Sequence, residues 1–340
     1  MTFWPTRDPM REIPDSDSKS VSDSKSVTGP DPRADVFESH RGRLVGLAYR
    51  LLGTWGEAED LVQEAWLRWH AADPETIDSP AAWLTTVTTR LGIDHLRRVR
   101  RRREEYVGPW LPEPVALELA GRGEGLGGPA AGSASPEGPE TRVELGEALS
   151  LALLRVLEEL SPAERAAFLL RQVFDYDYAE LASILDRSEA SCRQLVHRAK
   201  GRVAEGRPRF SPSAASQQEL LQRFLLATNQ GEIAPLVSLL SEDAILYSDG
   251  GGKVAAALNP IYGADRIARF MLGVASKQPE DLAVELRELV GQPAAVGWSG
   301  GRPVFAMTLE LAETDGDGEQ IVAVQIVRNP DKLGAIPPVH

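Results

Sequence analysis

Four stretches of the chain have residue types and spacing that could bind a charged partner. In Glu57-Ala58-Glu59-Asp60-Leu61-Val62-Gln63-Glu64 the apolar residues point inward at helical spacing, and Asp60, Gln63 and Glu64 share an outward face at i, i+3, i+4. That face offers carboxylates and an amide to a basic partner helix; taken alone it also reads as a solvated surface. A second set is Trp83, with Thr86 one turn on, followed by Arg90, Arg97, Arg98 and Arg100. Bases of single-stranded DNA stack on such a ring while guanidinium groups hold the backbone; the plainer reading makes Trp83 a core aromatic. A third set lies in Glu189–Val203. There Ala190, Leu195, Val196, Ala199 and Val203 can face inward, leaving Ser191, Arg193, Gln194, His197, Arg198 and Arg202 to reach base edges and phosphates. The fourth, Asp249-Gly250-Gly251-Gly252-Lys253, is a loop of unusual backbone freedom with a charge at each end, or simply a turn between strands.

The elements that must position these residues are legible from periodicity and caps. Residues 1–33, rich in Ser, Asp and Pro, read as a disordered tail. From Asp35 a helix carries Phe37, Leu44, Leu47, Ala48, Leu51 and Leu52 on one stripe and ends at Gly53. A second helix from about Gly56 buries Ala58, Leu61, Val62, Ala65, Trp66 and Trp69. Asp78-Ser79-Pro80 caps a third that runs to about Glu105. Gly108 to Glu140 is too rich in Gly, Pro and Ala for a packed core and reads as a flexible linker. Further on, Ser161-Pro162-Ala163-Glu164 and Asp177-Tyr178-Ala179-Glu180 are capping signals, and Ser188 caps the helix that starts at Glu189. A short helix, the tight turn Leu185-Asp186-Arg187 and a longer basic helix make a helix-turn-helix. After Pro212, a helix over about Gln217–Gln230 precedes the β-prone runs Asp243–Tyr247, Val304–Leu311 and Ile321–Val327. The last two are separated by the hairpin signal ETDGDGE. Two all-α modules, 34–107 and 141–207, and an α+β domain with a curved antiparallel sheet, 216–340, are expected.

A net charge of −13 over 340 residues argues against nucleic acid only as an average. Arg97–Arg103 holds six arginines in seven positions, and Arg187–Arg209 holds seven basic residues against two acidic ones. Glu104–Glu159 carries eleven acids against three bases, and Ser211–His340 sixteen against nine. Two basic islands in an acidic chain suggest two DNA-contacting surfaces. With no long apolar run, the chain is expected in the cytoplasm, away from membranes. The single cysteine, Cys192, forbids an internal disulfide and reads as a small buried side chain; no metal and no cofactor are expected.

The motifs GEAEDLVQEAWLRW and PAAWLTTVTTRLGIDHLRR resemble region 2 of the extracytoplasmic-function sigma factors of the sigma-70 family. LSPAERAAFLLRQVFDYDYAELASILDRSEASCRQLVHRAKGRV resembles their region 4. The resemblance implies that Asp60, Leu61, Gln63 and Glu64 dock on core RNA polymerase. It implies that Trp83, Thr86, Arg90, Arg97 and Arg98 lie near the −10 element of promoter DNA. Ser191, Arg193, Gln194, His197, Arg198 and Arg202 would then read the −35 element. Where many relatives carry Arg-Asn ahead of the Leu-x-x-Asp of region 2, this chain has Thr89-Arg90. REEYVGPWLPEPV, YSDGGGK and NPDKL resemble the subgroup with a fused SnoaL-like domain, a cone-shaped α+β fold with a pocket. There the extension is understood as an in-chain regulator. Asp249, Gly250, Gly251, Gly252 and Lys253, with Asn329, Pro330, Asp331, Lys332 and Leu333, would set the balance between closed and promoter-competent forms.

Two competing readings remain open at this stage. One is a ligand-responsive helix-turn-helix regulator, which leaves the EDLVQE helix unexplained. The other is a SnoaL-like isomerase or cyclase with a DNA-binding appendage. It needs a carboxylate or histidine in an apolar pocket, for which Asp243, Asp249 and Asp265 are the candidates; a small-molecule ligand without turnover is a third use of the same pocket.

Overall fold

A computed structural model describes residues 31–116, 150–206, 213–314 and 318–338. The expected tail up to residue 30 and the linker interior from 117 lie outside them. Three helices open the fold: α1 (Pro32–Leu52), α2 (Trp55–Ala71) and α3 (Pro80–Glu104). Asp31 accepts the Arg33 amide to cap α1, and Gly53 closes it in the left-handed conformation at φ 74°. The predicted apolar stripes of α1 and α2 are buried, except that Trp66 is half-buried against the Phe37 ring, centroids 4.9 Å apart.

The second helical module is α4 (Leu151–Glu158), α5 (Pro162–Gln172), α6 (Tyr178–Leu185) and α7 (Glu189–Gly206). Both predicted capping boxes form, at Ser161 with Glu164 and at Asp177 with Glu180. Asp186 takes the left-handed φ of 52° that turns the chain from α6 into α7. Ala199, Leu195, Val196 and Val203 of α7 are buried, with Cys192 fully covered among them.

The C-terminal domain has α8 (Ala214–Gln230), α9 (Ile233–Leu239) and α10 (Ala264–Ala275). Its strands are β1 (Leu240–Asp249), β2 (Ile261–Tyr262), β3 (Ala283–Leu289), β4 (Gln292–Ser299), β5 (Arg302–Thr314) and β6 (Gly318–Val327). The sheet order is β2-β1-β6-β5-β4-β3, antiparallel except for the β1–β6 pair. Register shifts at Leu240/Ile245, Gly297/Trp298 and Glu310/Leu311 curve it. One face carries Leu246, Ala295, Met307, Leu309, Val324 and Ile326 against α8 and α10. The other carries Ala294, Val296, Trp298, Ala306 and Val327 into the same apolar core as the two helical modules. The sheet is therefore sandwiched between its own helices and the rest of the chain.

The first residues of the expected linker are built into this core. Leu111, Val115 and Ala116 are buried, and Ala116 pairs with Leu289 at the sheet edge. The Val290 amide donates to the Val115 carbonyl at 2.8 Å. Val290 and Gly291, at φ 51° and 73°, form the two-residue turn between β3 and β4. A β-branched residue in the left-handed region is strained by about 1–3 kcal/mol. The Val115 bond and the near-complete burial of Val290 hold it there.

Candidate functional site

Asp249 ends β1 as a fully buried carboxylate with four donors. Its Oδ1 accepts the Tyr106 hydroxyl at 2.6 Å and the Gly251 amide at 3.0 Å. Its Oδ2 accepts the Leu111 amide at 2.9 Å and the Lys332 ammonium at 2.7 Å. Lys332 also donates to the Leu111 carbonyl at 2.5 Å, with its Nζ 4.0 Å from the Trp110 ring centroid and 5.0 Å from that of Tyr106. Asn329 completes the cluster by donating to the Tyr106 hydroxyl at 2.8 Å. Burial, and the bond to Asp249, push the Tyr106 phenol well above its usual range, so it stays a donor. A carboxylate offers about four acceptor sites, and all are used.

The segment 105–116 is thus a strap, fastened at one side to the C-terminal domain and at the other to the first module. Trp110 lies over Gly53, where a Cβ would come within 2.6 Å of the ring. The Glu113 amide donates to the Gly53 carbonyl at 2.8 Å, its carbonyl accepts the Tyr49 hydroxyl at 2.6 Å, and its carboxylate caps α2 through the Trp55 amide at 2.7 Å. Burial pushes the Glu113 carboxyl up against the opposing pull of that amide.

The loop and tail motifs meet in this cluster in part. Asp249, Gly250, Gly251, Asn329, Lys332 and Leu333 are buried or half-buried around the clamp. Lys253 and Asp331 instead pair with each other on the exposed rim, where Gly252 and Pro330 are also exposed.

The two helical modules touch directly. Arg90 of α3 donates to the Ile184 carbonyl at 3.0 Å and the Ser183 carbonyl at 3.2 Å, capping the end of α6. Thr85 bonds Tyr176 at 3.0 Å. Arg165 of α5 reaches the Leu51 carbonyl at 2.7 Å and pairs with Glu158 at 2.6 Å; burial draws its pKa down to about 9. The third module joins them where the Arg155 guanidinium of α4 lies 4.5 Å from the Tyr247 ring centroid of β1.

On α2, Asp60 and Gln63 are exposed and Glu64 is half-buried, paired with Arg68 at 3.1 Å. Leu61 corrects the expectation of a partner contact: it is 6% exposed and belongs to the bundle core. Thr86 corrects the −10 set in the same way, being buried with its hydroxyl on the Ala82 carbonyl at 2.8 Å. Trp83 is half-buried, its ring 5.7 Å from that of Trp69. Arg97 and Arg98 are exposed, the first paired with Asp94 at 2.9 Å.

On α7, Gln194 and His197 are exposed, Ser191 is half-buried, and Arg193 pairs with Glu189 at 2.6 Å. Arg198 and Arg202 converge on Glu164, at 3.0 and 3.2 Å. Burial raises the Glu164 carboxyl, but the Ser161 hydroxyl and amide and the two arginines outweigh it and leave it below its usual value.

Between α8, α10 and the inner sheet face lies a cavity of about 740 Å³. Among the described residues its lining includes no carboxylate and no imidazole. Asp249 faces the strap instead, Asp265 pairs with Arg269 at 2.7 Å, and Asp243 accepts the Ser241 hydroxyl. The sequence reading gave no individual role to Tyr106, Trp110, Glu113 or Arg165, and read Glu164 only as a cap. The two aromatic side chains, one just before and one inside the expected linker, were the available signal.

Profiles described as Sigma-70 region 2 and Sigma-70, region 4 match residues 36–102 and 150–203. The ECF RNA polymerase sigma factor SigJ of Mycobacterium tuberculosis is 36% identical over 310 residues, spanning 88% of this chain and 93% of that protein. The probable ECF RNA polymerase sigma factor SigI of the same species is 32% identical over 303 residues, 89% of this chain and 95% of that one. The crystal structure of SigJ superposes with a TM-score of 0.66 at 34% identity, covering 90% of this chain and 100% of that chain. With a relative 36% identical over 88% of the chain, and both helical modules matched by the sigma-70 profiles, the chain belongs to the extracytoplasmic-function family of RNA polymerase sigma factors.

Proposed function

We propose that this sigma factor directs promoter-specific initiation by core RNA polymerase from an open form, and that the packed arrangement is its closed form. The contact of Arg90 with Ser183 and Ile184 carries the reading. Elements named −10 and −35 are roughly 25 base pairs apart, roughly 85 Å of B-DNA at 3.4 Å per step. Modules in direct contact do not span that distance, so they separate to read both elements. In the open form Asp60, Gln63 and Glu64 face the polymerase, and Trp83, Arg90, Arg97 and Arg98 face the opened −10 strand. Ser191, Arg193, Gln194, His197, Arg198 and Arg202 face the −35 duplex. The clamp of Asp249, Asn329 and Lys332 on the strap holds the closed form, with the Lys253–Asp331 pair at its rim. The absence of a carboxylate or imidazole from the cavity lining among the described residues supports a regulatory rather than a catalytic C-terminal domain, working in the cytoplasm beside its polymerase.

Run-off transcription with purified core polymerase tests the reading. A promoter-specific transcript is expected with the wild-type chain, and higher affinity for core polymerase with Lys332→Ala. No specific transcript from any template carrying the chain's own upstream region sinks the sigma reading. Identical core affinity for wild type and Lys332→Ala sinks the clamp.

A further inference from the structure

The cavity of the C-terminal domain has a composition that neither promoter binding nor the clamp uses. Its volume of about 740 Å³ falls within the roughly 300–1,000 Å³ of small-molecule sites. Leu225, Phe270, Met271, Phe305, Met307 and Ile326 supply an apolar body. Phe305 lies across β4 because Gly297 opposite it has no side chain; a Cβ there would sit 2.1 Å from the ring. Among the polar residues that interrupt this surface are the buried Ser248 and the half-buried Arg328. Ser248 of β1 pairs with Ile326 of β6, which pairs with Met307 of β5. Arg328, just past the end of β6, also lines the cavity.

Ser248 is 2% exposed and lines the cavity. Arg328 is half-buried and donates to the Ala255 carbonyl at 2.6 Å, with no carboxylate in ion-pair range among the described residues. Burial draws its pKa down, as expected where a guanidinium lacks a counter-charge. Lys277 adds a second cation among the exposed residues of the lining, and among the described residues no acidic residue lines the cavity.

We infer that this cavity binds an apolar carboxylate, its chain against Phe305, Met307 and Ile326 and its head group on Arg328 and Ser248. A carboxylate supplies the charge that Arg328 lacks and can accept from the Ser248 hydroxyl. The head group would sit one peptide from the clamp. The Arg328 and Asn329 amides both donate to the Asp249 carbonyl, at 2.7 and 2.9 Å, and the loop behind Asp249 lines the cavity through Ala255 and Ala256.

The test titrates the full-length chain, without polymerase or DNA, so its outcome is independent of the sigma reading. Octanoate, decanoate, dodecanoate and tetradecanoate are added below their micellar concentrations in a calorimeter, each beside the primary alcohol of equal length. At least one acid is expected to bind saturably at one site, about tenfold or more tighter than its alcohol. Arg328→Gln should abolish that acid preference while the alcohol still binds, which also reports that the cavity is intact. Arg328→Lys should retain most of the preference, and Met307→Trp, filling the cavity, should remove binding of both. The inference is overturned if no acid binds the wild-type chain or if acids and alcohols bind alike. It is equally overturned if the acid preference survives Arg328→Gln.

Discussion

Asp249 and Lys332, 83 residues apart in sequence, form an ion pair of 2.7 Å with side chains 0% and 7% exposed. Every remaining acceptor site on that carboxylate is taken by the strap or the glycine loop. Taking one partner from a buried pair leaves the other charge without compensation, at a cost of about 3–5 kcal/mol. Asp249→Asn should therefore destabilise the C-terminal domain by that order in denaturant unfolding. Exchange of the Leu111 amide should accelerate with it. Asp249→Asn combined with Lys332→Met should recover a large part of the loss. Additive losses would show that the two residues act separately.

Gly251 and Gly231 separate backbone strain from steric fit. Both have positive φ, 60° and 77°. A Cβ on Gly231 meets open space, whereas one on Gly251 lies 2.3 Å from the Asn329 amide nitrogen and 3.0 Å from the Tyr106 hydroxyl. Gly231→Ala should cost about 1 kcal/mol from the backbone alone. Gly251→Ala should cost clearly more and release the Asn329–Tyr106 bond. Equal falls in Tm would count against a packed clamp.

Arg90 caps α6 from the neighbouring module at a half-exposed site. Arg90→Ala should lower global stability by only about 1 kcal/mol, because water replaces it on the two carbonyls. Its effect should appear as a larger radius of gyration by small-angle scattering. An unchanged scattering profile would mean that Arg165 and the Thr85–Tyr176 contact suffice to hold the modules.

Two buried glutamates give opposite pH dependences. Burial raises the Glu310 carboxyl on β5, where the Gln325 amide is its partner. A raised folded pKa gives stability present below the unfolded value and lost as pH rises through the folded value. Glu310→Gln should flatten that loss. Glu164 is lowered overall, so its contribution is present above the unfolded value and disappears as pH falls. Glu164→Gln should flatten the acid limb while keeping the capping geometry, since Gln also serves at that position. Thermal unfolding across acid to neutral pH reads both; unchanged profiles would refute the assignment.

Much of the helical architecture was legible because caps are local. Ser161 and Glu164, Asp177 and Glu180, and Gly53 act within a few residues of themselves, and all form as their types require. Leu61 and Thr86 misled for the opposite reason. Leu61 lies on the apolar stripe, and packing keeps it there despite the family role suggested for it. Thr86 looks polar, yet its hydroxyl is satisfied by its own helix, so it packs like an apolar residue. The contacts of the strap could not be read locally. REEYVGPWLPEPV, YSDGGGK and NPDKL go together by resemblance, but nothing in their composition pairs Leu111 with Asp249 across 138 residues. Strands β3 and β4 were also missed. Ala283–Leu289 is largely exposed outside its last residue, so its alternation carries little apolar contrast.

The fastening of the strap at both ends has a consequence for dosage. A separate inhibitor protein holds its target in proportion to how much of it the cell makes. Here Asp249 and Lys332 act on Trp110 and Leu111 of the same polypeptide, and tethering sets a local concentration in the millimolar range for short connections. Dilution and changes in expression leave that ratio at one to one. If the clamp holds the proposed closed form, tuning it requires a change inside the molecule: a ligand, a proton or a competing surface.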